Sequence, residues 1–146
     1  MKIDFGWRIP EFPINGTRGA EFVAQILHSL ERVEESFDSA WLSDHMVPWA
    51  DWQSPDADNL EGWTTINYLI GVFKRLSFGH IVLCNSYRSP ALLAKMTATL
   101  SLFAPGRFIL GIGAGDVEVL STEVDNVLRP HLPYDLNRLL QRLNPS

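Results

Sequence analysis

The chain has 146 residues, 46% of them hydrophobic and 20% charged, with a formal net charge of -5. That balance describes one globular domain with a single sizeable core, and its scattered basic residues argue against a nucleic-acid partner, which needs a concentrated basic face. One cysteine, Cys84, forbids an internal disulfide and fits a reducing, cytoplasmic setting, while no run approaches the ~20 apolar residues that span a bilayer.

The first strand-like run is Lys2 to Ile9. Val23, Ile26, Leu27, Leu30 and Val33 then recur at helical spacing and predict a helix from about Ala20 to Glu35. A second strand is expected over Ser39 to His45, followed by a long loop, Met46 to Asn59, rich in tryptophan and aspartate. Loops of that length without structure of their own are often functional, so this one reads either as a substrate-facing lid carrying Trp49 and Trp52 or as a plain surface segment. Trp63, Ile66, Leu69, Ile70 and Phe73 mark a second helix from about Glu61 to Arg75. A third strand is expected over Phe78 to Cys84. Ser89 and Pro90 supply an N-cap and a first-turn proline for a third helix, which Ala104-Pro105-Gly106 stops. The fourth strand, Arg107 to Ile112, runs into three spaced glycines, Gly111, Gly113 and Gly115. On strict alternation Ile109, Gly111 and Gly113 share one face, leaving Phe108, Leu110 and Ile112 to pack on helices. Beyond Gly115 only weak helical stripes follow, giving two parts of one domain: 1–115 and a divergent helical tail, 116–146.

Strand alternating with helix is the pattern of βαβ units and a parallel sheet, whose sites form at the carboxyl ends of the strands. His45 stands at such an end. Imidazole is the side chain best matched to proton transfer near neutral pH, although a strand-end histidine also serves simply by bonding a neighbouring carbonyl. Asp44 faces the other way and reads as a cap for loop N–H groups. Arg88 is either a surface charge flanking a helix or a group for an anionic ligand. The glycine triplet departs from the dinucleotide fingerprint in the spacing of its third glycine, so close backbone packing and a cradle for a flat ring both remain open. His28, His80 and His131 show no ligand spacing with each other or with Cys84, and no metal site is expected. A doubly wound nucleotide-binding sheet is a further alternative, which strand order would distinguish.

Four segments, FDSAWLSDHMVP (37–48), LEGWTT (60–65), YRSPALLAKMTATL (87–100) and GRFILGIGAG (106–115), together resemble the luciferase-like monooxygenase family, closest to its flavin- and deazaflavin-dependent oxidoreductases. The resemblance implies a TIM-type barrel, here an open half-barrel of about four strands. It also implies FMN or coenzyme F420 at the strand tips, and hydride or oxygen chemistry on a small organic substrate. By the same resemblance His45 lies beside the ring, and Asn85 sits where the family has an irregular backbone, often with a non-prolyl cis peptide. Arg88, Gly111, Gly113 and Gly115 frame the cofactor, and Glu61, which with Trp63 opens the second helix, joins Trp49 and Trp52 on the substrate side. Ser101 and Asp116 depart from the family pattern, which usually has an aspartate and a large residue there. Four strands alone leave two open edges, so a homodimer or association with a complementary half is expected, and a non-catalytic interaction module is the alternative to an oxidoreductase.

Overall fold

The computed structural model describes residues 2–13, 15–48, 54 and 57–114. All of them fall in the first of two units, Met1–Gly115 and Asp116–Ser146. Trp49, Trp52, Gly115 and the expected helical tail therefore lie outside the described residues.

Four parallel strands form the main sheet: β1 (Gly6–Arg8), β2 (Ser39–Leu42), β3 (Ser77–His80) and, after a break in each of the last two expected strands, β5 (Phe108–Ile109). They lie in the order β1-β2-β3-β5, each beside its predecessor, with α1 (Gly19–Ser36), α2 (Gly62–Val72) and α3 (Pro90–Phe103) as the crossovers. No reversal of strand order occurs among these strands. That is the winding of a barrel wall rather than of a doubly wound sheet, and the fold is an open partial β/α barrel.

The two faces of this wall differ in chemistry. Ala40, Leu42 and Phe78 are fully buried and pack with Phe22, Ile26, Leu30 and Val33 of α1 and Ile66, Leu69 and Ile70 of α2. The α1 stripe thus uses Phe22 where Val23 was expected: positions 22, 26, 30 and 33 follow the helical pitch, and Val23 falls just outside the arc. On the opposite face the register aligns Arg8 with Trp41, Trp41 with Gly79, and Gly79 with Ile109. Trp41 lies across this face because its neighbours have no side chains. A Cβ at Gly6 would stand 2.5 Å from the indole nitrogen, and one at Gly79 2.6 Å from the ring carbon Cζ3.

The sequence patterns place the helices within a few residues, but the strands are shorter than expected. The third run breaks after His80 and resumes as β4 (Leu83–Cys84). The fourth breaks after Ile109 and resumes as β6 (Ile112–Gly113), and these two ends pair with each other as a separate parallel ribbon. The peptide bond between Ile81 and Val82 is cis, upstream of Asn85, which instead opens a single 3₁₀ turn. These breaks undo the simple alternation. Phe108 packs on the core as expected, whereas Leu110 and Ile112, expected against helices, are exposed.

Arg107 fastens the far end of α2. Its guanidinium donates to the carbonyls of Ile70 at 2.9 Å, Phe73 at 2.8 Å and Leu76 at 3.3 Å, satisfying acceptors that a helix end leaves without partners. Replacing Arg107 with alanine is expected to lower stability by about 1–3 kcal/mol, read as a lower urea midpoint at unchanged slope. An unchanged midpoint would show that water replaces these bonds at no loss.

Candidate functional site

The carboxyl ends of the strands gather around one residue, Arg88, which follows the 3₁₀ turn. Its Nη1 donates to Asp44 Oδ2 at 2.6 Å and its Nη2 to Asp44 Oδ1 at 3.0 Å, a two-point fork, while Nη2 also bonds Glu61. Asp44, two residues beyond β2, is buried, and its Oδ2 also accepts the Cys84 amide of β4 at 3.1 Å. Glu61 is the N-cap of α2, accepting from the amides of Trp63 at 3.0 Å and Thr64 at 2.6 Å. One guanidinium therefore joins the ends of β2 and β4, the start of α2 and the approach to α3. Arg88 is not a solvated surface charge: its guanidinium clasps this end of the barrel. Asp44, expected to cap loop N–H groups, instead accepts a strand amide, that of Cys84 in β4, and holds the arginine as well.

α2 comes close enough to close the clasp because Gly62 has no side chain. A Cβ there would lie 2.8 Å from the Ser43 carbonyl and 2.9 Å from Asp44 Oδ1. Burial works against the Glu61 charge. Hydrogen bonds from Thr64 and from the Trp63 amide, together with Arg88, outweigh it and hold this carboxyl below the usual 4.5. For Arg88 too, burial alone would lower the pKa, but Asp44 and Glu61 raise it above its ordinary value.

Beneath the clasp lies His80, for which the sequence spacing suggests no ligand role. It is 1% exposed, stacked on Trp63 with ring centres 5.9 Å apart and the planes within 4° of parallel, and edge-on to Phe108. Neither ring nitrogen meets a hydrogen-bond partner of good geometry among the described residues. Burial, the dominant influence, pushes its pKa below 6.5. The Gly62 backbone, Asp44 and Glu61 pull upward, and Arg88 adds to the lowering. The ring is therefore neutral near pH 7.

His45 follows Asp44 and is half-buried, and its carbonyl accepts Asn59 Nδ2 at 2.5 Å, which ties the two ends of the long loop together. Asp58, at the same end of that loop, accepts the Gly19 amide of α1 at 2.5 Å. Asn85 is exposed at the 3₁₀ turn. Gly111 and Gly113 sit where the β4–β6 ribbon crowds β3. A Cβ on Gly111 would lie 2.0 Å from the His80 carbonyl oxygen, and one on Gly113 2.5 Å from Val82 Cγ2. The room these two glycines leave is thus taken up by the His80 carbonyl and the Val82 side chain. Nearby, Ile81, Val82, Leu110 and Ile112 remain about half-exposed, an apolar surface at the strand tips. Among the described residues no three His, Cys, Asp or Glu side chains gather as metal ligands, and no helix is long and apolar enough to cross a membrane.

The sequence profile of the luciferase-like monooxygenase family matches residues 4–138. An F420-dependent glucose-6-phosphate dehydrogenase of Kineococcus radiotolerans is 37% identical over 91 residues, covering 60% of this chain and 26% of that protein. An F420-dependent hydroxymycolic acid dehydrogenase of Mycobacterium tuberculosis is 32% identical over 92 residues, 62% of this chain and 25% of its own. Among solved structures, an F420-dependent secondary alcohol dehydrogenase in complex with an F420-acetone adduct superposes with a TM-score of 0.62 at 24% identity, over 80% of this chain and 33% of that one. The oxygenating constituent of 3,6-diketocamphane monooxygenase from Pseudomonas putida, in complex with FMN, gives 0.65 at 22% identity, over 84% and 33%. The shared fold is the luciferase-like TIM barrel, and this chain spans about a quarter of the length of those two curated relatives.

Two acid-sensitive groups, Glu61 of the clasp and His80 beneath it, set the expected pH dependence. His80 has a folded pKa below its unfolded 6.5, so on acidification the unfolded chain takes the proton first and stability falls as pH drops from 6.5 toward the folded value. Glu61, also depressed, contributes stability that is full above 4.5 and lost as pH falls through its folded value. Urea unfolding across pH 3–8 is therefore expected to show two successive losses. His80→Leu should remove the upper one and Glu61→Gln the lower; an upper loss that survives His80→Leu would place its origin elsewhere.

Proposed function

Since the chain belongs to the luciferase-like monooxygenase family, we propose that its strand tips form part of a site for a flavin-type ring, FMN or the deazaflavin F420, at which hydride passes to or from a small organic substrate. The observation that carries this reading is the convergence of His45, the Asp44–Arg88–Glu61 clasp and the β4–β6 ribbon at the carboxyl ends of the strands. The half-exposed Ile81 and Val82 suit one wall of a flat-ring site, being apolar and available. The ring, when bound, supplies the hydride or, as a reduced flavin, activates oxygen.

The side chains have the following parts. His45 holds or delivers the proton that accompanies the redox change, with its backbone fixed through Asn59. Gly111 and Gly113 keep the β4–β6 tip flush against β3, so that no side chain stands between ring and backbone. Arg88 and Glu61 position the tips through the clasp and leave the ligand to others. Asn85, exposed at the 3₁₀ turn, borders the ring.

A second reading, a non-catalytic module that associates through open barrel edges, draws support from β1 and β5, each paired on one side only among the described residues, and from the exposed Ile109, Leu110 and Ile112. A homodimer or a complementary half would cover that surface.

Fluorescence titration separates the readings. At least one of FMN and F420 is expected to bind saturably at micromolar concentration, and no binding of either at high micromolar levels would sink the ring-site proposal. In the loaded protein His45→Ala should lower turnover about a hundredfold or more while leaving ring binding intact. Unchanged turnover would remove the histidine from the chemistry. A stable, cooperative monomer by light scattering would count against the association module.

A further inference from the structure

Arg8 stands at the end of β1, in register with Trp41, and so on the open face of the sheet, opposite the helices. An arginine in such a place ordinarily extends into water. This one is tied down on one side. Its Nη2 donates to Ser43 Oγ at 2.9 Å and to Glu11 Oε1 at 3.1 Å, and both partners are buried. A guanidinium carries five N–H donors in a planar fork. Both bonds use one nitrogen, which leaves Nη1 and Nε without a partner among the described residues, on a side chain that is 56% exposed. Arg88 and Arg107 differ in that each engages two nitrogens with protein acceptors.

The arrangement has the form of a recognition element. The anchored nitrogen removes much of the side-chain freedom that binding would otherwise have to overcome, and the other edge offers donors in a fixed plane. The Glu11 carboxylate at 3.1 Å offsets the formal charge, so what is presented is direction more than net charge. That favours a neutral acceptor such as a carbonyl oxygen over a phosphate. We propose that the unengaged edge of Arg8 binds the pyrimidinedione carbonyl edge that flavin and deazaflavin rings share, a role that rests on the ring-site reading above and assigns one side of the ring to β1.

Arg8→Lys is the discriminating variant, because lysine keeps a cation for the buried Glu11 but has no second donor edge. Riboflavin, FMN and F420 are titrated separately against wild type and variant by fluorescence, and the wild-type Arg8 Nε–H resonance is followed by NMR during the same titrations. The expected result is a loss of affinity of about tenfold, alike for riboflavin and FMN, with the Nε–H resonance shifting on binding. Should the variant fail to fold, the wild-type resonance decides alone. Wild-type affinity in the variant, an unmoved resonance, or a loss confined to phosphate-bearing FMN would each overturn the proposal for Arg8 while leaving the ring site standing. Failure of all three ligands to bind the wild type would bring down the ring-site reading and this proposal with it.

Discussion

Arg88 is where four separate pieces of chain meet. The parallel sheet brings the end of β2 and the start of α2 near each other, but nothing in a sheet ladder fixes how the strand tips splay beyond its last hydrogen bond. The fork between Arg88 and Asp44, extended to Glu61, supplies that constraint, and a fork is directional where apolar contact is not. Burying these charges is unfavourable in itself. It is tolerated because each carboxylate also accepts backbone N–H groups, from Cys84 for Asp44 and from Trp63 and Thr64 for Glu61. His45 follows Asp44 directly, so whatever holds the aspartate in place also holds the backbone that carries the candidate proton donor.

Much of the fold is legible in the sequence for physical reasons. Helical stripes such as Ile66, Leu69 and Ile70 are local, and Ser89-Pro90 encodes the start of α3 in two residues. The broken strands are not legible, because HIVLC is a continuous apolar run whose interruption after His80 is decided by β4 pairing with β6, about thirty residues away. The Arg88–Asp44 fork is not legible for a similar reason: the two residues are 44 apart, and a single charge has no periodicity. His80 sits in a run that reads as apolar, and only burial against Trp63 and Phe108 makes it unusual. Arg8 merged into the first strand, since only the register shows it beside Trp41. The glycines were correctly singled out, and the three-dimensional packing supplies the reason: their missing side chains admit the His80 carbonyl and Val82.

The open face explains why so much of the chemistry points one way. In a closed barrel the interior would be filled by side chains from every strand. Here Trp41, laid over Gly6 and Gly79, occupies that face, and the polar groups at its upper end, Arg8 and Ser43, are bonded to each other. Helices cover the other face with the apolar core, so the two sides of the wall differ in character, one apolar and closed, the other carrying Trp41 and the Arg8–Ser43 bond. The clasp belongs to the boundary between them, which is why its loss would reach both.

A double-mutant cycle on Asp44 and Arg88, using Asp44→Asn and Arg88→Met with stability read by urea unfolding, tests this most directly. If the fork organises the strand tips, the two substitutions couple by more than about 1.5 kcal/mol, each single change costing nearly as much as both together. Additivity within about 0.5 kcal/mol would mean that the pair only decorates a barrel end held by other means, and the account would be wrong at its centre.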